Sequence, residues 1–146
     1  MPDSMKARSL EQLPTLRLGE ATVQDIQLEL IRRRKFNAFD GERIAAQLWE
    51  HRELWEAALM DRLALSNWGQ PPANGLIKLR DLSSDDWNVD TLFILSHDAA
   101  CAKKLAEIFK MDESGGMVSV YDDSEAVDLA LGSGREERAI VSIWWD

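Results

Sequence analysis

Three apolar runs in this chain each end in acids. Ser96-His97-Asp98 closes the run over 91–96, Asp122-Asp123 follows 117–121, and Asp146 follows 139–145. Taken as parallel strands, the runs bring their carboxyl ends to one rim, where four carboxylates and an imidazole meet. Carboxylates gathered in this way bind a hard cation through oxygen or hold a proton at raised pKa. Asp98, Asp122 and Asp146 are therefore the candidate Mg²⁺ ligands, with His97 as a phosphate or proton handler beside them. The same positions have a plainer reading: Asp98 and Asp123 stand where helix N-caps belong.

Nucleophilic chemistry has one opening. His97 and Cys101 are four residues apart, so a helix that starts early puts base and thiol on one face. Cys101 also falls on the apolar side of that helix, where it acts as a small hydrophobe. Cys101, His51 and His97 are too few and too scattered for zinc. Gly-x-Ser-x-Gly, Walker and Gly-x-Gly-x-x-Gly patterns are absent, and the Gly132-Ser-Gly134 pair follows a helix instead of opening one. No catalytic residue and no cofactor is assigned on these grounds.

Charge points elsewhere. The net charge is −9, and it is unevenly spread: residues 1–80 carry 12 Lys and Arg against 11 Asp and Glu, while residues 81–146 carry 5 against 15. Such a field repels phosphate backbones, excludes nucleic acid as a partner of the second half, and speeds encounter with a basic protein. Six tryptophans are many for this length. Trp144 and Trp145 are neighbours on a strand and project to opposite faces. Aromatic anchors beside steering acids are what a surface needs to hold a basic protein, and Asp122, Asp123, Glu125, Asp128, Trp145 and Asp146 form the candidate set. The competing reading is that the acids only keep the protein in solution.

The elements that position these residues follow from periodicity. Residues 1–20 show no period and read as a loosely ordered arm. Thr22 caps a helix to about residue 34, with Val23, Ile26 and Leu30 on one face and Arg32, Arg33, Arg34 and Lys35 matching the dipole at its end. Asp40 caps a second helix. There Ile44, Leu48, His51, Trp55, Leu59 and Leu63 form one stripe over about six turns, a core-facing position for His51. Residues 66–75 are a loop with Trp68 as a lid over the core. The stretch 76–82 alternates like a strand with one wet face. Strands at 91–96, 117–121 and 139–145 then alternate with helices at 98–110 and 124–131, the last stopping at Gly132.

The fold class is therefore α/β (or α+β), with an N-terminal helical pair packed on a small, mostly parallel three- to four-stranded sheet and two crossover helices. The chain divides into a helical part at 21–65 and an α/β part at 76–146 of one domain. No run approaches the about 18 apolar residues of a membrane span. The N-terminus lacks a signal peptide's apolar core, and the lone Cys101 fits a reducing, cytoplasmic compartment.

Strand, helix, strand, helix, strand over 91–145 resembles the opening portion of a response-regulator receiver domain. That resemblance implies Mg²⁺ and phosphate chemistry at His97, Asp98 and Asp146. A histidine replaces one of the family's acids, and the later strands and their lysine are absent. The reading that combines size, acidity, tryptophans and missing catalytic motifs is a non-enzymatic binding protein, an inhibitor of the immunity or antitoxin kind that neutralises a basic partner. The alternatives are a small Mg²⁺-dependent or phosphate-handling enzyme using His97, Asp98, Asp122 and Asp146, and a structural or adaptor subunit forming a homodimer through the long helix.

Overall fold

The structure is a computed structural model that describes residues 10–62, 73–113, 115–132 and 137–146, with the backbone alone over 73–77. Trp68 and the loop expected around it lie outside the described residues up to 72; from 73 the chain is already helical. Residues 10–20 are not a loose arm. Two short 3₁₀ turns at Leu10–Thr15 and Leu18–Glu20 hold this segment, with Leu13 buried and Leu10 and Leu16 against the core.

Helix α1 (Val23–Arg33) starts on a reciprocal cap: the Thr22 hydroxyl accepts from the Asp25 amide at 3.0 Å, and the Asp25 carboxylate accepts from the Thr22 amide at 2.9 Å. Asp25, Leu28 and Ile31 face inward and Val23 is 76% exposed, so the buried stripe is rotated from the expected one at Val23, Ile26 and Leu30. Reciprocal capping fixes the helix start with Asp25 turned inward, and the stripe three and six residues on follows it. Near the other end, Glu29 accepts hydrogen bonds from Arg32 and Arg33 at 2.7–2.8 Å.

A tight hairpin follows, β1 (Lys35–Phe36) with β2 (Phe39–Asp40), turned at Asn37 in the left-handed region. Asp40 then caps α2 (Gly41–Glu50). Gly41 packs so closely that a Cβ would meet the carbonyl oxygens of Ile31, Arg32 and Arg34. Its amide donates to the Arg34 carbonyl at 2.9 Å, and only glycine allows that approach.

The six-turn helix does not form. Helix α2 ends at Glu50, and after a 3₁₀ turn at Arg52–Leu54 the chain becomes strand β3 (Trp55–Asp61). Glu, Ala, Leu and Met in WEAALMD are good helix formers, but β4 offers a complete ladder and wins. A bulge between Trp55 and Ala57 leaves Glu56 unmatched and turns Trp55 to the same face as Ala58 and Met60. The Trp55 indole, fully buried, donates to the Leu48 carbonyl at 2.8 Å, and the Arg52 guanidinium lies 3.9 Å from its ring centre. The strand expected at 76–82 is helix α3 (Ala73–Ser83), where two apolar residues three apart, Leu79 and Leu82, remain exposed.

Beyond it come β4 (Thr91–Ser96), α4 (Ala99–Lys110), β5 (Met117–Tyr121), α5 (Ser124–Leu131) and β6 (Ala139–Trp144). Asp98 and Asp123 cap α4 and α5, and Gly132 at φ 71° ends α5. The four-stranded sheet has the order β3-β4-β6-β5, and every neighbouring pair is antiparallel. The fold is thus mixed α and β, but its sheet is not mostly parallel. Strands β4 and β5 do run the same way, as a β-α-β unit requires; β6 enters between them in the opposite direction. An unbroken apolar run reports a central, doubly covered strand and is silent about direction.

One face of the sheet carries Ala58, Met60, Leu92, Ile94, Val141 and Ile143, all buried, with Val118 and Val120 packed on them. Helix α1 covers this face at β3, and α4 covers it at β4, β6 and β5.

Two outcomes test this account. Gly41→Ala is expected to cost about 3 kcal/mol in urea unfolding, because the methyl meets backbone and not a movable side chain. The Arg32 hydrogen bond, ahead of opposing burial, holds the Glu29 carboxyl below its ordinary value of 4.5. A lowered folded-state value means that this pairing stabilises above the ordinary glutamate range and is lost as pH falls through the folded value. Glu29→Gln should therefore be less stable than the parent at neutral pH, with the difference closing as pH falls through and below the ordinary glutamate range.

Candidate functional site

The reversed direction of β6 dissolves the expected acidic rim. Tyr121 stands opposite Ile140, while Trp144 stands opposite Met117 and Thr91. Asp146 is therefore at the end where β4 begins, and Asp98 and Asp122 are at the end where β4 and β5 stop. Four strand residues separate the two levels, roughly 13 Å before the last turn of chain is counted. Asp98, Asp122 and Asp146 do not converge, and the receiver-like arrangement goes with them. Among the described residues no group of three or more His, Cys, Asp or Glu side chains is placed to hold a metal ion.

The acids that remain at the Asp98 end are occupied. Asp98 accepts from the Cys101 amide at 2.8 Å, and that bond holds its carboxyl below the usual aspartate value. Burial first, and the Asp98 carboxylate second, push the Cys101 thiol up. This is the reverse of an activated thiolate. His97 lies with Nδ1 3.4 Å from Glu56, whose other oxygen is 3.7 Å from Arg138, so its pairing is with an acid on β3 and not with the thiol. His51 sits past the end of α2, where its amide donates to the Gln47 carbonyl, and is not on a core stripe.

The six-residue partner surface is also divided. Asp122, Asp123 and Glu125 are exposed at the turn from β5 into α5, and Asp128 is half-buried one helical turn on. Asp123 spends one oxygen on the Ala126 amide at 3.3 Å. Asp146 is exposed at the far end, where its carbonyl accepts from Asn37 at 2.6 Å. Trp145 is 3% exposed and meets the Phe39 ring edge-on at 4.7 Å, with its amide donating to the Asp90 carbonyl. It is a core residue, not a surface anchor. The alternation of Trp144 and Trp145 holds, and it sends Trp145 inward.

What sequence reasoning missed is the second face of the sheet. Ala57, Leu95, Ile140 and Tyr121 form one row across it, Leu59, Phe93, Ser142 and Ser119 the next, and Asp61, Thr91, Trp144 and Met117 the third. Leu59 is 44% exposed, Tyr121 53% and Met117 64%; Phe93, Leu95, Ile140 and Trp144 are half-buried. An antiparallel sheet commonly wets one face with polar residues. Here eight of the twelve positions are apolar, with Thr91 and Ser142 buried among them, and Tyr121 puts the apolar rows directly beside Asp122 and Asp123. The signal was present in 91–96, where both parities are apolar, but it reads as burial unless the covering layer is known.

Trp145→Ala should cost about 3–5 kcal/mol of stability, as for a buried aromatic, whereas Asp122→Asn should leave the unfolding midpoint unchanged. Iodoacetamide should label Cys101 in the folded protein at pH 8 more slowly than in urea; equal rates would contradict the raised thiol. Comparison of the chain with protein-family models, curated proteins and solved structures finds no match.

Proposed function

We propose that this chain is a non-enzymatic binding protein that docks a basic protein on the outer face of its sheet, as an acidic inhibitor of the immunity or antitoxin kind would. The observation that carries the reading is the apolar field of Leu59, Phe93, Leu95, Ile140, Trp144, Met117 and Tyr121, flanked at one end by Asp122, Asp123 and Glu125. Leu59, Met117 and Tyr121 are exposed in this field and the other four are half-buried, and contiguous apolar groups left open to solvent mark interaction surfaces. The charges beside it raise the rate of encounter with a cationic partner, and the aromatic rings set how long the complex lasts. Tyr121 and Trp144 take the anchoring role that the buried Trp145 cannot fill. The helix-mediated adaptor has no support, since the long helix is divided into α2 and β3.

Affinity capture with the parent protein, with Leu59→Glu/Tyr121→Glu, and with Asp122→Asn/Asp123→Asn tests the proposal. Asparagine keeps the capping oxygen at 123, so the acid variant retains its fold. The parent should retain a protein of pI above about 9 that the Glu variant loses. The Asn variant should bind it with an on-rate lowered about tenfold at low salt and a flattened salt dependence. Retention of the same partner by the folded Glu variant would refute docking on this face.

A further inference from the structure

The two edges of the sheet are treated differently. Strand β3 is closed along its outer side. The Gln24 side chain of α1 accepts from the Ala58 amide at 2.9 Å and donates to the Ala58 carbonyl at 2.7 Å, occupying both groups as a neighbouring strand would. The Arg52 guanidinium donates to the Trp55 carbonyl and, at 3.4 Å, to that of Glu56. The bulge at Trp55 and Ala57 adds a third obstacle to pairing. Strand β5, at the opposite edge, has none of these devices. Its sequence MVSVY holds no lysine, proline or bulge, and among the described residues nothing hydrogen-bonds to its outer side.

From this asymmetry we infer that β5 pairs with β5 of a second copy of this chain, antiparallel about a two-fold axis through Ser119, making one continuous eight-stranded sheet. The inference goes beyond the proposed function and does not depend on it. The strand is self-complementary in this register: Ser119 meets Ser119 of the copy, Val118 meets Val120, and Met117 meets Tyr121. Valines meet on the inner face and the exposed Met117 and Tyr121 meet on the outer face, so apolar groups oppose apolar groups in both layers.

Charge favours the same arrangement. Asp122, which follows the strand, falls opposite Gly116 of the copy, not opposite another acid. The two Asp122 residues are then six strand positions apart, about 20 Å, beyond the roughly 8 Å over which exposed charges act at physiological salt. Parallel pairing in register would instead set Asp122 and Asp123 directly against their own copies. The acids that follow β5 are thus kept apart from their own copies in the antiparallel sense and not in the parallel one. Five residues of strand make a small interface, so the dimer belongs to the weak, concentration-dependent class. Its consequence for the molecule is that the two outer apolar faces become one surface.

Sedimentation velocity from about 5 µM to about 1 mM should show the parent protein passing from monomer to dimer. Ser119 is exposed, so Ser119→Lys keeps the fold, as circular dichroism will show, and places two like charges across the axis. It should raise the dissociation constant about tenfold or more. In a Cys101→Ser background, Ser119→Cys should form an interchain disulfide under mild oxidation, because cysteines directly opposite come within reach of the bond. Met117→Cys, which faces Tyr121, should not. A parent protein that stays monomeric over the whole range overturns the inference. So does a dimer that Ser119→Lys leaves intact, or Met117→Cys crosslinking as fast as Ser119→Cys. None of these readouts involves a captured partner, so failure here is distinct from failure of the proposed function.

Discussion

Strand β6 is hydrogen-bonded on both flanks, to β4 from Ser96 to Thr91 and to β5 from Tyr121 to Met117, and both ladders run antiparallel. Buried backbone amides and carbonyls must be paired, and a strand in the middle of a sheet has no water to turn to. That demand places everything around it. The β4-α4-β5 unit leaves a gap one strand wide, and β6 fills it from the opposite end. Trp145 is thereby delivered to Phe39, and Gly116 must be bare, since a Cβ there would stand 2.5 Å from Ile143 and 2.8 Å from the Trp145 ring. The end of the described chain and the hairpin before α2 are locked together by this contact and by Asn37 on the Asp146 carbonyl.

Residues near one another in sequence carry out separate tasks as a result. Asp122 and Asp123 share a turn and are both exposed, yet the second bonds a helix amide. Trp144 and Trp145 share a peptide bond, yet one belongs to the half-exposed outer layer and the other to the core. Acidity by itself is therefore a poor guide to a site in this protein. The local partner of each carboxylate decides whether its charge is felt at the surface, and caps at Asp40, Asp98 and Asp123 draw on acids that composition alone would count toward a field.

Local signals were legible and non-local ones were not. The caps at Thr22, Asp40 and Asp98, the stop at Gly132, and the bounds of α1, α4, β4, β5 and β6 can all be read from residue type and period, because short-range geometry sets them. The passage from α2 to β3 cannot, because Ala, Leu and Met in 55–61 favour helix locally, and only the pairing with β4, with the bulge that turns Trp55 inward, overrides them. Strand direction is equally invisible: the same residues in 139–144 would suit either sense. The candidate site depended on that one unreadable choice, so the metal rim was lost while the acidic turn at Asp122 stayed where sequence put it. Tyr121 and Leu59 emerged only once register showed them on one face.

Gln24 carries a consequence for the substitutions this protein tolerates. Its amide faces the Ala58 peptide group as one peptide faces another, giving and taking one hydrogen bond each. Glutamate has the same shape but no donor, and it would set a negative charge against the Ala58 carbonyl. Lysine and arginine donate but cannot accept; leucine and methionine fill the space and do neither. Asparagine has both groups on a stem one methylene too short. Position 24, on a half-exposed helix face where most exchanges would be neutral, is thus as restricted in side-chain chemistry as Gly41 is in size.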